Sequence, residues 1–198
     1  MSNASAQYDD AMSPRALHFT GDPEADALLA DEPLALLIGF ALDQQVPVQT
    51  AFTGPLKLQQ RLGHLDAARI ASMDPAVLDA ACREKPAVHR FPGNMAKRVQ
   101  ELCVLVTSEY GGDAGRVWGD ATDAADLERR IRELPGFGDM KVIALGSVLA
   151  KRFGVEAAQP LVPWHPTLGD VDSPEALEDY QAKKRAYKAE LRAKQAQR

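Results

Sequence analysis

Residues Pro33–Leu42, PLALLIGFAL, are apolar on almost every side of a helix. A surface helix carries one apolar stripe, whereas a helix that is apolar all round is buried all round. The rest of the chain must therefore wrap this segment, and 198 residues are enough to bury a sizeable core. Asp31 and Glu32, just before the run, place negative charge at the positive end of that helix. Pro47, after Gln44-Gln45-Val46, breaks the chain, and residues 48–62 read as a second helix ending at Gly63. Ser72-Met73-Asp74-Pro75 opens another, with Pro75 near its first position. Phe91-Pro92-Gly93-Asn94 interrupts the chain before Met95–Glu109, a helix that puts Met95, Val99, Leu102, Cys103 and Val106 on one face. Gly111, Gly112 and Gly115 mark a loop, and Thr122 or Asp123 caps a helix running to Glu133. Lys141–Arg152 is helical again and ends at Gly154. Residues 155–171, with Pro160, Pro163 and Pro166, read as an ordered irregular loop, and Ser173-Pro174-Glu175 starts a final polar, alanine-rich helix. There is almost no period-2 alternation of β-branched residues and no internal repeat, so the expected class is all-α.

Composition narrows the function. With 45% hydrophobic and 26% charged residues the chain reads as an ordinary globular protein. Two cysteines, Cys82 and Cys103, exclude a disulfide framework and a four-cysteine iron–sulfur cluster, and their apolar neighbours make them buried thiols. No apolar run approaches the ~20 residues of a membrane helix. The opening Met1-Ser2-Asn3-Ala4-Ser5 has neither the basic start nor the apolar core of a secretory signal, so a cytoplasmic, reduced protein is expected. A net charge of −5 argues against indiscriminate polyanion binding but leaves room for a local basic site. The charge is unevenly placed: residues 1–40 carry one base, Arg15, whereas residues 181–198 carry Lys183, Lys184, Arg185, Lys188, Arg192, Lys194 and Arg198 against Glu190 alone. Either the two ends lie against each other or the tail reaches an anionic partner.

The most informative stretch is Leu134-Pro135-Gly136-Phe137-Gly138, between two amphipathic helices. Two glycines flanking one apolar residue allow a tight hairpin with Phe137 plugged between the helices. The amides of Gly136, Phe137, Gly138, Asp139 and Met140 then point outward at the positive end of the second helix, and Lys141 adds a charge there. Such a site receives a phosphate without reading a base. The alternative is a helical hairpin with a glycine turn and no ligand.

This LPG-x-G turn resembles the helix-hairpin-helix motif in the form found in the helix-hairpin-helix base-excision DNA glycosylases. Two further segments extend the resemblance, in order, over roughly residues 33–154. Leu36–Val46, LLIGFALDQQV, resembles the family segment in which a glutamine at a helix end faces DNA, and Gln45, with Gln44 beside it, falls at that place. A long amide there fills the gap left by an extruded nucleotide; the other reading is two helix-terminal glutamines in solvent. Residues 90–98, Arg90-Phe91-Pro92-Gly93-Asn94-Met95-Ala96-Lys97-Arg98, resemble the family's turn into the helix that packs on the hairpin.

The chain departs from the family in two places. Members with lyase activity carry a lysine two residues after the second hairpin glycine; here that position is Met140, and Lys141 is turned about 100° away on a helix. The resemblance thus implies hydrolysis by water without a lyase step. The family's carboxylate lies in an apolar-Asp-x-His segment, and here Val162-Pro163-Trp164-His165 lines up with it, so Pro163 stands at the aspartate's place. Of the acids downstream, Asp172 or Ser173 before Pro174 reads as a helix cap, which leaves Asp170, with less reason to cap, as the candidate catalytic carboxylate.

His18, His64, His89 and His165 have no paired spacing suited to a metal, so no metal and no cofactor are expected. Trp164 and His165 either stack on a base or backbone or pack the Pro-rich loop down. Arg83, Lys85, Arg90, Lys97 and Arg98 form either a phosphate-contacting edge or a solvated face. The expectation is a two-lobed helical protein, with residues 33–154 as a central bundle containing the hairpin at 126–153 and residues 1–32 plus 155–198 as a terminal lobe. It would act as a monomeric, monofunctional DNA glycosylase on duplex DNA holding a damaged base, away from membranes and, in a bacterium, with the nucleoid. The alternative is a non-enzymatic DNA-binding protein that kept the scaffold and lost the aspartate.

Overall fold

Proline and aspartate set most of the helix starts. The computed structural model describes residues 14–196. In chain order it forms α1 (Pro23–Asp31), α2 (Pro33–Leu42), α3 (Val48–Phe52), α4 (Gly54–Leu62), α5 (Ala67–Ala71), α6 (Pro75–Arg83), α7 (Pro92–Tyr110), α8 (Arg116–Gly119), α9 (Ala124–Glu133) and α10 (Asp139–Arg152). Two short 3-10 turns follow, at Glu156–Leu161 and Leu168–Asp170, and then α11 (Pro174–Ala196). The class is all-α, with no strand among the described residues. Asp22, Asp66, Asp74 and Asp123 each accept a first-turn amide of the helix that follows them. Asp123, rather than Thr122, caps α9.

Every residue from Leu34 to Leu42 is buried, as an all-round apolar helix demands. α1, α3, α4 and α7 pack around α2. Phe52 of α3 packs tightly on it: a Cβ on Gly39 would lie 2.5 Å from the Phe52 ring, so only glycine admits this approach. Phe19 and Phe40 meet the same ring edge-on, each at 5.1 Å between centroids, a geometry worth about 1 kcal/mol per pair beyond burial. The segment leading into α1 is pinned by buried Asp26, whose Oδ1 accepts from the amides of Phe19 and Thr20 and from Thr20 Oγ1.

The expected helix over 48–62 is divided: α3 stops at Phe52, and α4 starts at Gly54 with Pro55 in its first turn. Pro55 supplies no amide to bond back across the break, so the axis is free to change there. α7 buries Met95, Val99, Leu102, Cys103 and Val106 as their spacing predicts, and packs on α2, α5 and α6. α9 and α10 join the same apolar core through Leu127, Ile131, Val142, Leu145, Val148 and Leu149. The irregular loop over 155–171 contains two 3-10 turns, both packed on α10. The two ends attach to different parts of the bundle. α1 packs on α2 and α4, whereas α11 packs on the Leu168–Asp170 turn and buries Leu177 and Tyr180.

Cys82 and Cys103 are free and buried, and burial pushes both thiols up to about 12. No helix among the described residues is long and apolar enough to cross a membrane.

Candidate nucleic-acid interface

The turn between α9 and α10 is tight. The Phe137 amide donates to the Leu134 carbonyl at 3.0 Å, and the Lys141 and Val142 amides both donate to the Gly138 carbonyl, at 2.9 and 3.1 Å. Phe137 is buried among the helices, as a plug should be. Its amide and that of Lys141 are thereby used inside the turn, so neither points outward. The amides that start α10, those of Gly138, Asp139 and Met140, have no acceptor within the helix. The Asp139 carboxylate beside them is ion-paired with Arg132, which offsets a negative charge that would oppose an anion there. Gly136 takes φ +80°, which favours glycine, but Gly138 takes φ −95°, which any residue adopts. Only the first of the two glycines is required by backbone conformation.

Arg98 of α7 ties this turn to the end of α2. Its Nη1 donates to Gln44 Oε1 at 2.5 Å, and its Nε and Cδ lie against Gly136. Gln44 is held from its other side by buried His89. The Phe91 amide donates to His89 Nδ1 at 3.0 Å, so the ring proton sits on Nε2, which donates to the Gln44 carbonyl at 2.9 Å. Gln45 is exposed and left-handed, at φ 58°, a conformation that non-glycine residues rarely adopt and that clusters at functional sites. Gln44, Gln45, His89, Phe91, Asn94 and Arg98 line an open cavity of about 570 Å³ with Met95, Lys97 and Glu101. Phe91 is 43% exposed at this edge, with the Arg90 guanidinium 4.6 Å from its ring centre.

The segments 36–46, 90–98 and 134–141, separated by dozens of residues, therefore meet at one face. Of the basic cluster, Arg83 is paired with Asp79 and Lys97 lies 3.8 Å from Glu101; Arg98 alone of the five bridges to the hairpin turn through these contacts. His89, Phe91 and Arg98 matter more to this face than their sequence context indicates. The only local cue was His89 two residues before Phe91, the spacing at which a ring nitrogen can accept a backbone amide.

Met140 is 74% exposed. Lys141 turns the opposite way. Its Nζ donates to the Ala41 carbonyl at 3.3 Å, at the end of α2, and sits 5.3 Å from the Phe137 ring centre. Burial pushes its ammonium down to about 8, the Asp43 carboxylate pulling it back up and Arg98 pushing it further down. Lys141 thus fastens the hairpin to α2 instead of extending toward solvent, and Asp43 is a carboxylate of this neighbourhood that sequence reasoning missed.

Asp170 requires a correction. Its Oδ1 accepts from Lys151 Nζ at 2.5 Å, and its Oδ2 accepts from the Thr167 amide and hydroxyl, closing a capping box on the turn Leu168–Asp170. Gly169 lies against the Ser147 carbonyl. Asp170 therefore sits beside the C-terminal half of α10, about two to three turns from Met140. Of the two residues expected to cap α11, Ser173 is the one used, its Oγ accepting the Ala176 amide, whereas Asp170, read as having less reason to cap, closes the box with Thr167. Among the described residues no group of three or more His, Cys, Asp or Glu side chains converges as a metal site.

The face thus offers helix-start amides without internal acceptors, an arginine, two glutamines at a helix end and an exposed phenylalanine. This is chemistry for holding an anionic backbone and filling a gap in a base stack. Comparisons with protein-family models, curated proteins and solved structures give no match for the chain.

Proposed function

We propose that this protein is a base-excision DNA glycosylase-like protein of the helix-hairpin-helix kind, two-lobed and clusterless. It binds duplex DNA, holds open a site from which a damaged nucleotide has been extruded, and hydrolyses the N-glycosidic bond without a lyase step. The observation that carries the reading is the convergence of Gln44, Arg98 and Gly136: an arginine holds the glutamine-bearing helix end against the hairpin turn. The amides of Gly138, Asp139 and Met140 receive a phosphate, with no reading of sequence. Gln45 enters the vacated stack, and Phe91, exposed at the same edge, wedges the neighbouring step.

Hydrolysis needs a carboxylate to support the developing sugar cation. Asp43, the C-cap residue of α2 immediately before Gln44, whose charge is felt by Lys141, replaces Asp170 as the candidate for that role. One observation favours a second reading, binding without excision: the Asp170 carboxylate is committed to Lys151 and Thr167.

Incubation with duplexes carrying a panel of base lesions, scored for alkali-labile sites, tests both. Release that Asp43→Asn abolishes and Asp170→Asn spares supports excision with Asp43 as its carboxylate. Salt-sensitive duplex binding with no release from any lesion supports the non-enzymatic reading. Duplex affinity that does not change between low and moderate salt removes both, because phosphate contacts release counterions.

A further inference from the structure

Trp164 is 86% exposed, although an indole is among the costliest side chains to leave in water. It does not pack the Pro-rich loop down. It projects between Pro163 and Pro166, whose fixed φ angles stiffen the segment that carries it. Behind it, His165 and Tyr187 of α11 are stacked at 4.9 Å and 22°, and the indole stands nearly perpendicular to both, at 5.9 and 5.4 Å. The three rings form a preorganised aromatic platform with most of the indole open to solvent. An adjoining groove of about 270 Å³ contains Lys151, Asp170, Asp179 and Lys183. Those four charges are paired with one another, Lys151 with Asp170 and Lys183 with Asp179. The surplus positive charge comes from α11 beyond them, where Lys184, Arg185 and Arg192 stand against Glu190. Lys183 and Lys184 fall one turn before Tyr187, on its face of the helix.

We propose that Trp164, backed by His165 and Tyr187, is a stacking platform for an unpaired nucleic-acid base, with the basic half of α11 holding the adjoining backbone. Aromatic rings with flanking bases are the usual means of gripping single strands without sequence preference, because every base presents a π-face. The site lies beside the C-terminal half of α10, away from the hairpin turn, and does not depend on the reading given for that turn. Charge complementarity favours a polyanion, and the low apolar content of the basic half of α11 disfavours insertion into a lipid surface.

The two tryptophans make the test direct, since Trp118 is only 5% exposed and Trp164 dominates any solvent-dependent emission. At low salt, a short oligothymidylate should quench the exposed component and weaken as salt rises, whereas inorganic polyphosphate, which has charge and no bases, should not quench it. Anisotropy of a labelled oligothymidylate should show about tenfold weaker binding by Trp164→Ala and a smaller loss by Trp164→Phe. An unchanged thermal melt of Trp164→Ala would show that the fold is intact, as exposure of the site implies. Fully paired duplex should quench less than the single strand, and Gly136→Ala should leave the oligothymidylate signal unchanged even if duplex binding is lost. Equal quenching by polyphosphate, no quenching by the oligonucleotide, or a change that tracks protein concentration or anionic vesicles instead would each overturn the proposal.

Discussion

Arg98 lies across Gly136 so closely that a Cβ on Gly136 would sit 2.8 Å from its Nε and 3.0 Å from its Cδ, while the same guanidinium donates to Gln44. Gly136→Ala must therefore adopt φ +80° at a cost of about 1–2 kcal/mol and displace Arg98 as well. Gly138 has no atom within 4 Å of its absent Cβ and no left-handed φ, so Gly138→Ala should change stability by less than about 0.5 kcal/mol. Denaturant melts should separate the two variants. In duplex titrations only Gly136→Ala should lose substantial affinity, because only it uncouples the turn from Gln44.

His89 links the end of α2 to the start of α7 by accepting the Phe91 amide and donating to the Gln44 carbonyl. His89→Ala leaves both part-buried backbone groups without that partner. A loss of about 2–3 kcal/mol is expected in chemical denaturation. Duplex affinity should fall in parallel, since Gln44 and Gln45 are no longer fixed. His89→Ala with native stability would show that the bridge is not needed for folding.

The hairpin turn and the buried α2 were legible in the sequence because both are local: one rests on glycine spacing, the other on an uninterrupted apolar run. The full commitment of Asp170 was not. Its capping box with Thr167 is local, and the Thr-x-x-Asp spacing is a signal that could have been read. The bond from Lys151 and the seat of Gly169 on the Ser147 carbonyl come from α10, and nothing between residues 160 and 175 records them. Likewise, Lys141 was expected to face an anion, but the Ala41 carbonyl, 100 residues earlier in the chain, draws it inward. Chemistry set by neighbours close in sequence was readable; chemistry set by a distant packing partner was not.

Asp170 makes an acid-side prediction. Burial pushes its carboxyl up, but the bonds from Lys151 and Thr167 outweigh this and hold it below the usual carboxylate range. A depressed folded value adds stability that is fully present above the unfolded pKa, near 3.8, and is lost as pH falls through the lower folded value. Asp170→Asn should lower neutral-pH stability by about 1 kcal/mol, chiefly through the cap, and flatten the loss of stability below about pH 4. Thermal melts between neutral pH and pH 3 measure both effects.

Lys141 makes the opposite, alkaline-side prediction. Its ammonium is pushed down to about 8 from 10.5, mainly by burial. Between those values the unfolded chain binds more proton than the folded one, so stability rises with pH across that window, and the full cost of burying the charge is felt below about pH 8. Relative to Lys141→Met, the wild-type protein should gain about 1–2 kcal/mol between pH 7.5 and about pH 9.5, after allowing for partial solvent screening. A fraction of the amine is neutral at pH 8 and would be a competent nucleophile, but it bonds the Ala41 carbonyl and faces α2. Met140, at the position that faces solvent, has no nucleophilic nitrogen. Borohydride should therefore trap no covalent adduct with abasic duplex, even at pH 8. A trapped species that Lys141→Met abolishes would show that the lysine swings out from α2 when DNA binds.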